Sequence, residues 1–115
     1  MARHVLLLDL IDDPALIARY EAWHRPGAVP AAVLRSIRAA NIVSMEIYRA
    51  GDRLAMVIET GPDFDPAAKA AADRADPDVQ AWEALMDGFQ RPIPGAAPGV
   101  KWTQANRIFS LDEQP

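Results

Sequence analysis

The sequence predicts an α+β fold, the ferredoxin-like split βαβ in the order β-α-α-β-β-α-α-β, and three observations predict it. Three Asp-Pro dipeptides, Asp13-Pro14, Asp65-Pro66 and Asp76-Pro77, each open a stretch with helical spacing. Two runs of alternating residues, 42–49 and 53–60, flank the turn Ala50-Gly51-Asp52 and read as a hairpin. Both crossovers are interrupted, the first by Arg25-Pro26-Gly27 and the second by Asp76-Pro77, so each carries two helices rather than one. A chain of 115 residues is expected to make one domain spanning residues 1–115.

Each element has a local cause. Residues 5–10 are a short aliphatic run of strand length. At Asp13-Pro14 the aspartate accepts from free N–H groups, and proline at the first helical position forfeits no bond. That helix runs to about His24, where Pro26 and Gly27 end it. Residues 30–40 form a second helix with Val33, Leu34 and Ile37 as its apolar stripe and Arg35 and Arg38 outside. Asn41 suits the left-handed position that closes it. In the hairpin, Val43, Met45 and Ile47 alternate with Ser44, Glu46 and Tyr48, and Leu54, Met56 and Ile58 alternate with Ala55, Val57 and Glu59. An alanine-rich helix to about Arg74 and a helix through Gly88 follow, the latter with Val79, Trp82, Met86 and Phe89 on one stripe. Residues 90–99, rich in Pro and Gly, are expected to hold no regular structure. Residues 100–111, with Trp102, Ile108 and Phe109, read as a last strand.

Helices cover one face of such a sheet. The other face is not polar and needs a cover. The same face of a second copy is the simplest one, so the expectation is a homodimer whose sheets close into a dimeric α+β barrel.

Composition narrows the function. Hydrophobic residues make up 50% and charged residues 24%, as in ordinary globular domains. There is no cysteine, which removes disulfides and thiolate metal sites and suits a reducing, cytoplasmic compartment. His4 and His24 are the only imidazoles, so no dedicated metal site is expected. A net charge of −4 argues against nucleic acid. No apolar run approaches the length needed to cross a membrane. Phosphate loops, dinucleotide fingerprints and nucleophile elbows are absent, and no cofactor is expected.

What remains is a set of polar and aromatic groups on inward stripes: Tyr20, His24, Trp82 and Glu83, with Glu46, Tyr48 and Glu59 on strands. Tyr20 and His24 lie four apart, one above the other on the helix face that carries Leu16 and Ile17. Spacing alone favours a packing role for this pair, and for Trp82 beside Met86. Glu83 reads as a rim residue, and Glu46 and Glu59 as partners in a dimer salt bridge. The functional alternative is a site for a neutral polar ligand: tryptophan offers a flat face to the C–H side of a sugar, while carboxylate, phenol and imidazole read hydroxyls. Imidazole exchanges protons near neutral pH without large tuning.

The run Tyr20-x-x-x-His24, Met45-Glu46-Ile47-Tyr48, Gly51-x-Arg53-Leu54 and Glu59 resembles the L-rhamnose/L-fucose mutarotase family. So do Val79-Gln80-Ala81-Trp82-Glu83-x-Leu85-Met86, Phe89-Gln90-x-Pro92-x-Pro94-Gly95, Lys101-Trp102 and Ile108-Phe109-x-Leu111. The motifs cover nearly the whole chain in order. Trp82-Glu83 and the Phe89-Gln90…Lys101-Trp102 segment look closer to the L-fucose branch. The resemblance implies a dimeric α+β barrel that interconverts the α and β anomers of a 6-deoxy-hexose pyranose without a cofactor. It implies that His24 is the proton donor and that Tyr20 and Trp82 contact the sugar. Met45 falls on a contact position where the rhamnose enzymes carry Tyr, and Glu83 on one where they carry Trp. The family's Val-Trp-Pro-Glu after the histidine reads Ala28-Val29-Pro30-Ala31, with Gly27 an extra residue nearby, and Asn41 replaces a glycine.

Mutarotation protonates the ring oxygen and deprotonates the anomeric hydroxyl, so one acid and one base suffice. His24 is the expected acid and Glu83 the expected base, with Tyr20 orienting the sugar. Two rivals share the fold: a cofactor-free monooxygenase acting on a phenol, and a sugar-binding module without catalysis.

Overall fold

The structure is a computed structural model describing residues 1–115. An antiparallel sheet carries four helices on one face. Strand β1 (Ala2–Leu10) lies in the middle, β3 (Arg53–Thr60) pairs with it on one side and β2 (Ile42–Ala50) lies outside β3. The other side of β1 is held by two short strands, β4 (Gln90–Arg91) and β5 (Thr103–Ala105). The helices are α1 (Pro14–Trp23), α2 (Ala31–Ala39), α3 (Pro66–Ala75) and α4 (Pro77–Asp87). This is the split βαβ order with both crossovers broken in two.

All three Asp-Pro starts are helix caps. Asp13 accepts from the N–H of Ala15 and Leu16, Asp65 from Ala67 and Ala68, and Asp76 from Asp78 and Val79. Asn41 does adopt the left-handed conformation, φ 66°. Gly51, φ 60°, supplies the hairpin turn between β2 and β3.

Register fixes the faces. Leu8 pairs with Leu54, Leu6 with Met56 and His4 with Ile58; Ile47 pairs with Met56 and Met45 with Ile58. These side chains therefore share the helix-covered face. Leu8, Leu54 and Ile58 are buried there, and Leu10, Leu54, Tyr20, Met86 and Phe89 form one core cluster, with Leu16, Ile17, Ile47, Trp82 and Trp102 packed against it. A bulge between Ile42 and Ser44 leaves Val43 exposed.

The opposite face carries Val5, Leu7, Ala55 and Val57, all half-buried with no helix over them. Arg3 and Glu59 pair across β1 and β3 on this face at 3.1 Å. Glu59 thus has an ion-pair partner within its own chain. Asp9, buried, receives Nε and Nη2 of Arg53 at 2.8 and 3.3 Å. That carboxylate raises the guanidinium's pKa, through its hydrogen bond first and its charge second.

Two elements depart from expectation. The last strand spans only Thr103–Ala105, because beyond Ala105 the chain leaves β1 and runs as an exposed arm with Ile108, Phe109 and Leu111 in solvent. The Pro/Gly segment begins with ordered pairing: Gln90 and Arg91 lie opposite Leu10 and Asp9 before Pro92 ends the ladder. Phe89 is buried as expected, but it follows α4 rather than lying on it.

Candidate functional site

The C-terminal end of α1 brings three of the five expected site residues together. Tyr20 is on its last full turn, 3% exposed, and His24 is the residue that caps it. Their rings are 4.3 Å apart between centroids. Trp82, from α4, meets the imidazole edge-on at 5.5 Å, and Trp23 meets Trp82 edge-on at 6.1 Å. The imidazole is therefore held between a phenol and an indole. Such pairs contribute about 0.5–1.5 kcal/mol each beyond the area they bury.

His24 has a fixed chemical polarity. Nδ1 lies 2.7 Å from the carbonyl oxygen of Tyr20. A carbonyl only accepts, so Nδ1 carries a proton and donates it, satisfying one of the carbonyls that a helix end leaves free. Nε2 is the nitrogen left free of that bond. It accepts a proton when the ring is neutral and donates one when the ring is an imidazolium.

Tyr20 reaches further into the core. Its ring stands edge-on to Phe89 at 5.9 Å, and its hydroxyl accepts from Nε2 of Gln90 at 3.2 Å. Burial raises the phenol's pKa, and the Gln90 hydrogen bond partly opposes that rise. Gln90 Oε1 is buried without a partner. An unpaired acceptor of this kind costs about 1–3 kcal/mol.

A cleft of about 390 Å³ opens beside the pair, within the range of about 300–1,000 Å³ usual for small-molecule sites. Ile47 and Leu54 floor it, and Tyr20, His24, Tyr48 and Arg49 surround it. Glu21 also borders it and is ion-paired with Arg49, which donates from Nη1 to the Gly51 carbonyl at 2.8 Å. Two larger hollows, of about 540 and 460 Å³, lie beside α1 and the hairpin and between α2 and α3. Neither is bordered by an imidazole or an aromatic ring. Chemistry, not size, selects the 390 Å³ cleft.

Trp82 touches the imidazole but does not line this cleft, and the other two expected residues, Met45 and Glu83, also stand outside its lining. Met45 is half-buried on β2, two residues along the same face from Ile47. Glu83 is half-buried on α4 beside Trp82, and its carboxylate accepts from Gln80 Nε2 at 3.3 Å. Gln90, Arg49 and Glu21 were not singled out as site residues from sequence. Gln90 sits at the start of a Pro/Gly segment, and only the pairing of β4 with β1 carries it under Tyr20. No three of the His, Asp and Glu side chains cluster in a way that would hold a metal ion. No helix is long and apolar enough to cross a membrane.

Solved structures share this architecture. An L-rhamnose mutarotase from Formosa agariphila superposes with a TM-score of 0.69 at 12% identity, covering 96% of this chain and 99% of that one. The tetracenomycin F2 cyclase of Streptomyces glaucescens, a type-II polyketide cyclase, superposes with a TM-score of 0.63 at 17% identity and 96% coverage of both chains. At those identities the likeness is one of fold, and the fold is that of the dimeric α+β barrels. Within that fold, sequence comparison defines the class as a carbohydrate isomerase of the mutarotase type. The L-rhamnose mutarotase family profile matches residues 3–111. An L-fucose mutarotase from Xanthomonas campestris pv. campestris is 57% identical over 113 residues, 98% of this chain and 90% of that protein. The chain belongs to the L-rhamnose mutarotase family.

Proposed function

We propose that this protein interconverts the α and β anomers of a 6-deoxy-hexose pyranose, L-fucose or L-rhamnose, by general acid–base ring opening. The grouping of Tyr20, His24 and Trp82, with His24 Nδ1 tied to the Tyr20 carbonyl, carries the reading. As an imidazolium, His24 delivers its Nε2 proton to the ring oxygen. The ring opens to the aldehyde, the C1–C2 bond rotates, and the ring closes on the other face. Glu83, beside Trp82, takes the proton of the anomeric hydroxyl. Tyr20 orients the sugar, Trp82 offers its C–H side a flat surface, and Met45 packs where a hydrogen bond is not made. The 57% identity to an L-fucose mutarotase favours L-fucose of the two sugars and favours catalysis over passive binding.

The test is saturation-transfer NMR of anomeric protons with L-fucose, L-rhamnose and several other aldoses. Faster exchange is expected with a 6-deoxy sugar. No acceleration with any of them overturns the reading, and oxygen uptake with a phenolic substrate points to the monooxygenase rival instead.

We also propose that the working form is a homodimer in the cytoplasm. The chain exposes 7743 Å², against roughly 6,200 Å² for a folded monomer of its mass. Its radius of gyration is 15.0 Å, against about 13 Å for a compact domain of this length. The excess surface includes the open sheet face and the arm carrying Ile108 and Phe109, 96% and 66% exposed. Covering both with a second copy removes apolar surface that a monomer leaves in water. Light scattering is expected to give twice 12.6 kDa, and Val57→Arg, on the open face, to shift the protein toward monomer. A wild-type monomer at micromolar concentration overturns the dimer. The lack of cysteine suits a reducing compartment.

A further inference from the structure

The Tyr20 hydroxyl accepts a hydrogen bond from Gln90 and donates to no protein atom. Its proton is uncommitted. The lone pair that faces β4 is occupied by the amide, so a ligand oxygen that meets this phenol meets a donor. The amide itself is held by little else. Its oxygen is buried without a partner, and β4 fixes only the backbone, opposite Leu10. A buried amide with an unpaired oxygen is a poor choice for packing, since an apolar side chain of similar size avoids that desolvation. The position is explained by what the amide does to Tyr20.

We propose that Gln90 is a positioning residue for the reaction: by donating to the Tyr20 oxygen it fixes the phenol as a hydrogen-bond donor toward the sugar. The two tethers at this site are complementary. The Tyr20 carbonyl sets which nitrogen of His24 is free, and the Gln90 amide sets which way the Tyr20 proton is offered. A phenol held as a donor stabilises negative charge growing on a sugar oxygen during ring opening. Its contribution is therefore greater in the transition state than in the bound sugar. Burial raises the phenol's pKa and keeps its proton in place, while the Gln90 bond favours the charged form and so strengthens the donor.

The proposal rests on the mutarotase reading, and its test separates the two. Gln90→Glu reverses the polarity, because a carboxylate accepts the Tyr20 proton. Gln90→Met removes the donor and keeps the bulk. In NMR exchange assays both variants are expected to lose about tenfold or more in kcat, the scale of one transition-state hydrogen bond, with KM changed much less. In a Tyr20→Phe background the same substitutions are expected to change the rate no further. A second readout needs no turnover. Tyr20 and Tyr48 are the only tyrosines, so in Tyr48→Phe protein the ultraviolet titration of phenolate reports Tyr20 alone. Adding Gln90→Met is expected to move that titration to higher pH. Wild-type protein that fails to accelerate exchange overturns the mutarotase reading and this role with it. An active wild type whose Gln90 variants keep full rate, act additively with Tyr20→Phe, or leave the Tyr20 titration unmoved overturns the Gln90 role alone.

Discussion

Replacing His24 by asparagine and, separately, by glutamine separates the helix-capping bond of its imidazole from the proton transfer proposed for it. Nδ1 caps α1 by donating to the Tyr20 carbonyl at 2.7 Å, and Nε2 is the nitrogen left for chemistry. The Asn amide reaches roughly where Nδ1 stands and the Gln amide roughly where Nε2 stands. His24→Asn keeps a cap donor but loses the ring contacts with Tyr20 and Trp82, at about 0.5–1.5 kcal/mol each. His24→Gln loses those contacts and also the cap bond, worth about another 1 kcal/mol. At about 4–8 °C per kcal/mol for a domain near this size, both should melt lower, Gln the more so, yet remain folded. Neither amide titrates near neutral pH, so both lose the proposed acid. The expected loss is about 10²–10⁴-fold in anomer exchange, or about 3–5 kcal/mol of barrier. Saturation-transfer NMR measures the rate and thermal unfolding checks the fold. Wild-type exchange in His24→Asn would refute proton transfer by this residue. Near-complete recovery in His24→Gln would leave His24 a hydrogen-bonding group and nothing more.

Glu83→Gln keeps volume and removes the proposed base; anomer exchange is expected to fall about 10²-fold or more, and a full rate would remove Glu83 from the mechanism. Leu54→Ala, at a site 1% exposed that floors the cleft, should cost about 2–5 kcal/mol in chemical denaturation, and a loss under about 1 kcal/mol would mean the core there is not close-packed. Alkaline stability carries the signature of Tyr20. Burial raises its folded pKa above the unfolded value of about 10, so in that window the unfolded chain has released a proton that the folded chain still holds, and stability falls as pH rises. Tyr20→Phe removes this contribution, and its urea midpoint should decline less steeply between pH 9 and 11 than that of the wild type. Parallel declines would contradict the raised pKa.

Much of the fold is local and was legible in the sequence for that reason. Each Asp-Pro dipeptide carries its own cap, and aspartate and proline make the helix start where they stand. Asn41 and Gly51 answer to backbone conformations that few other residues adopt. Alternation in β3 told the buried Leu54 and Ile58 from the half-exposed Ala55 and Val57, because strand geometry makes neighbours face opposite ways. The spacing of Tyr20 and His24 put them on one helix face, and the order of motifs along the chain pointed to the family. The last strand was not legible. Residues 106–111 have the composition of a strand, but a strand exists only against a partner, and the chain leaves β1 after Ala105 pairs with Val5.

The site depended on tertiary structure in the same way. Spacing could not choose between packing and chemistry for Tyr20, and the folded chain places its ring in the core while its hydroxyl donates to no protein atom. Trp82 lies 58 positions from His24, and only the tertiary placement of α4 sets its edge against the imidazole. Gln90 is 70 residues from Tyr20 and reaches it because β4 adds to the edge of β1. Local conformation follows from the residues that adopt it. The His24 tautomer is set by a carbonyl four residues away, but where the Tyr20 proton points is decided by a group 70 residues away, since a hydrogen bond senses distance and direction rather than chain position.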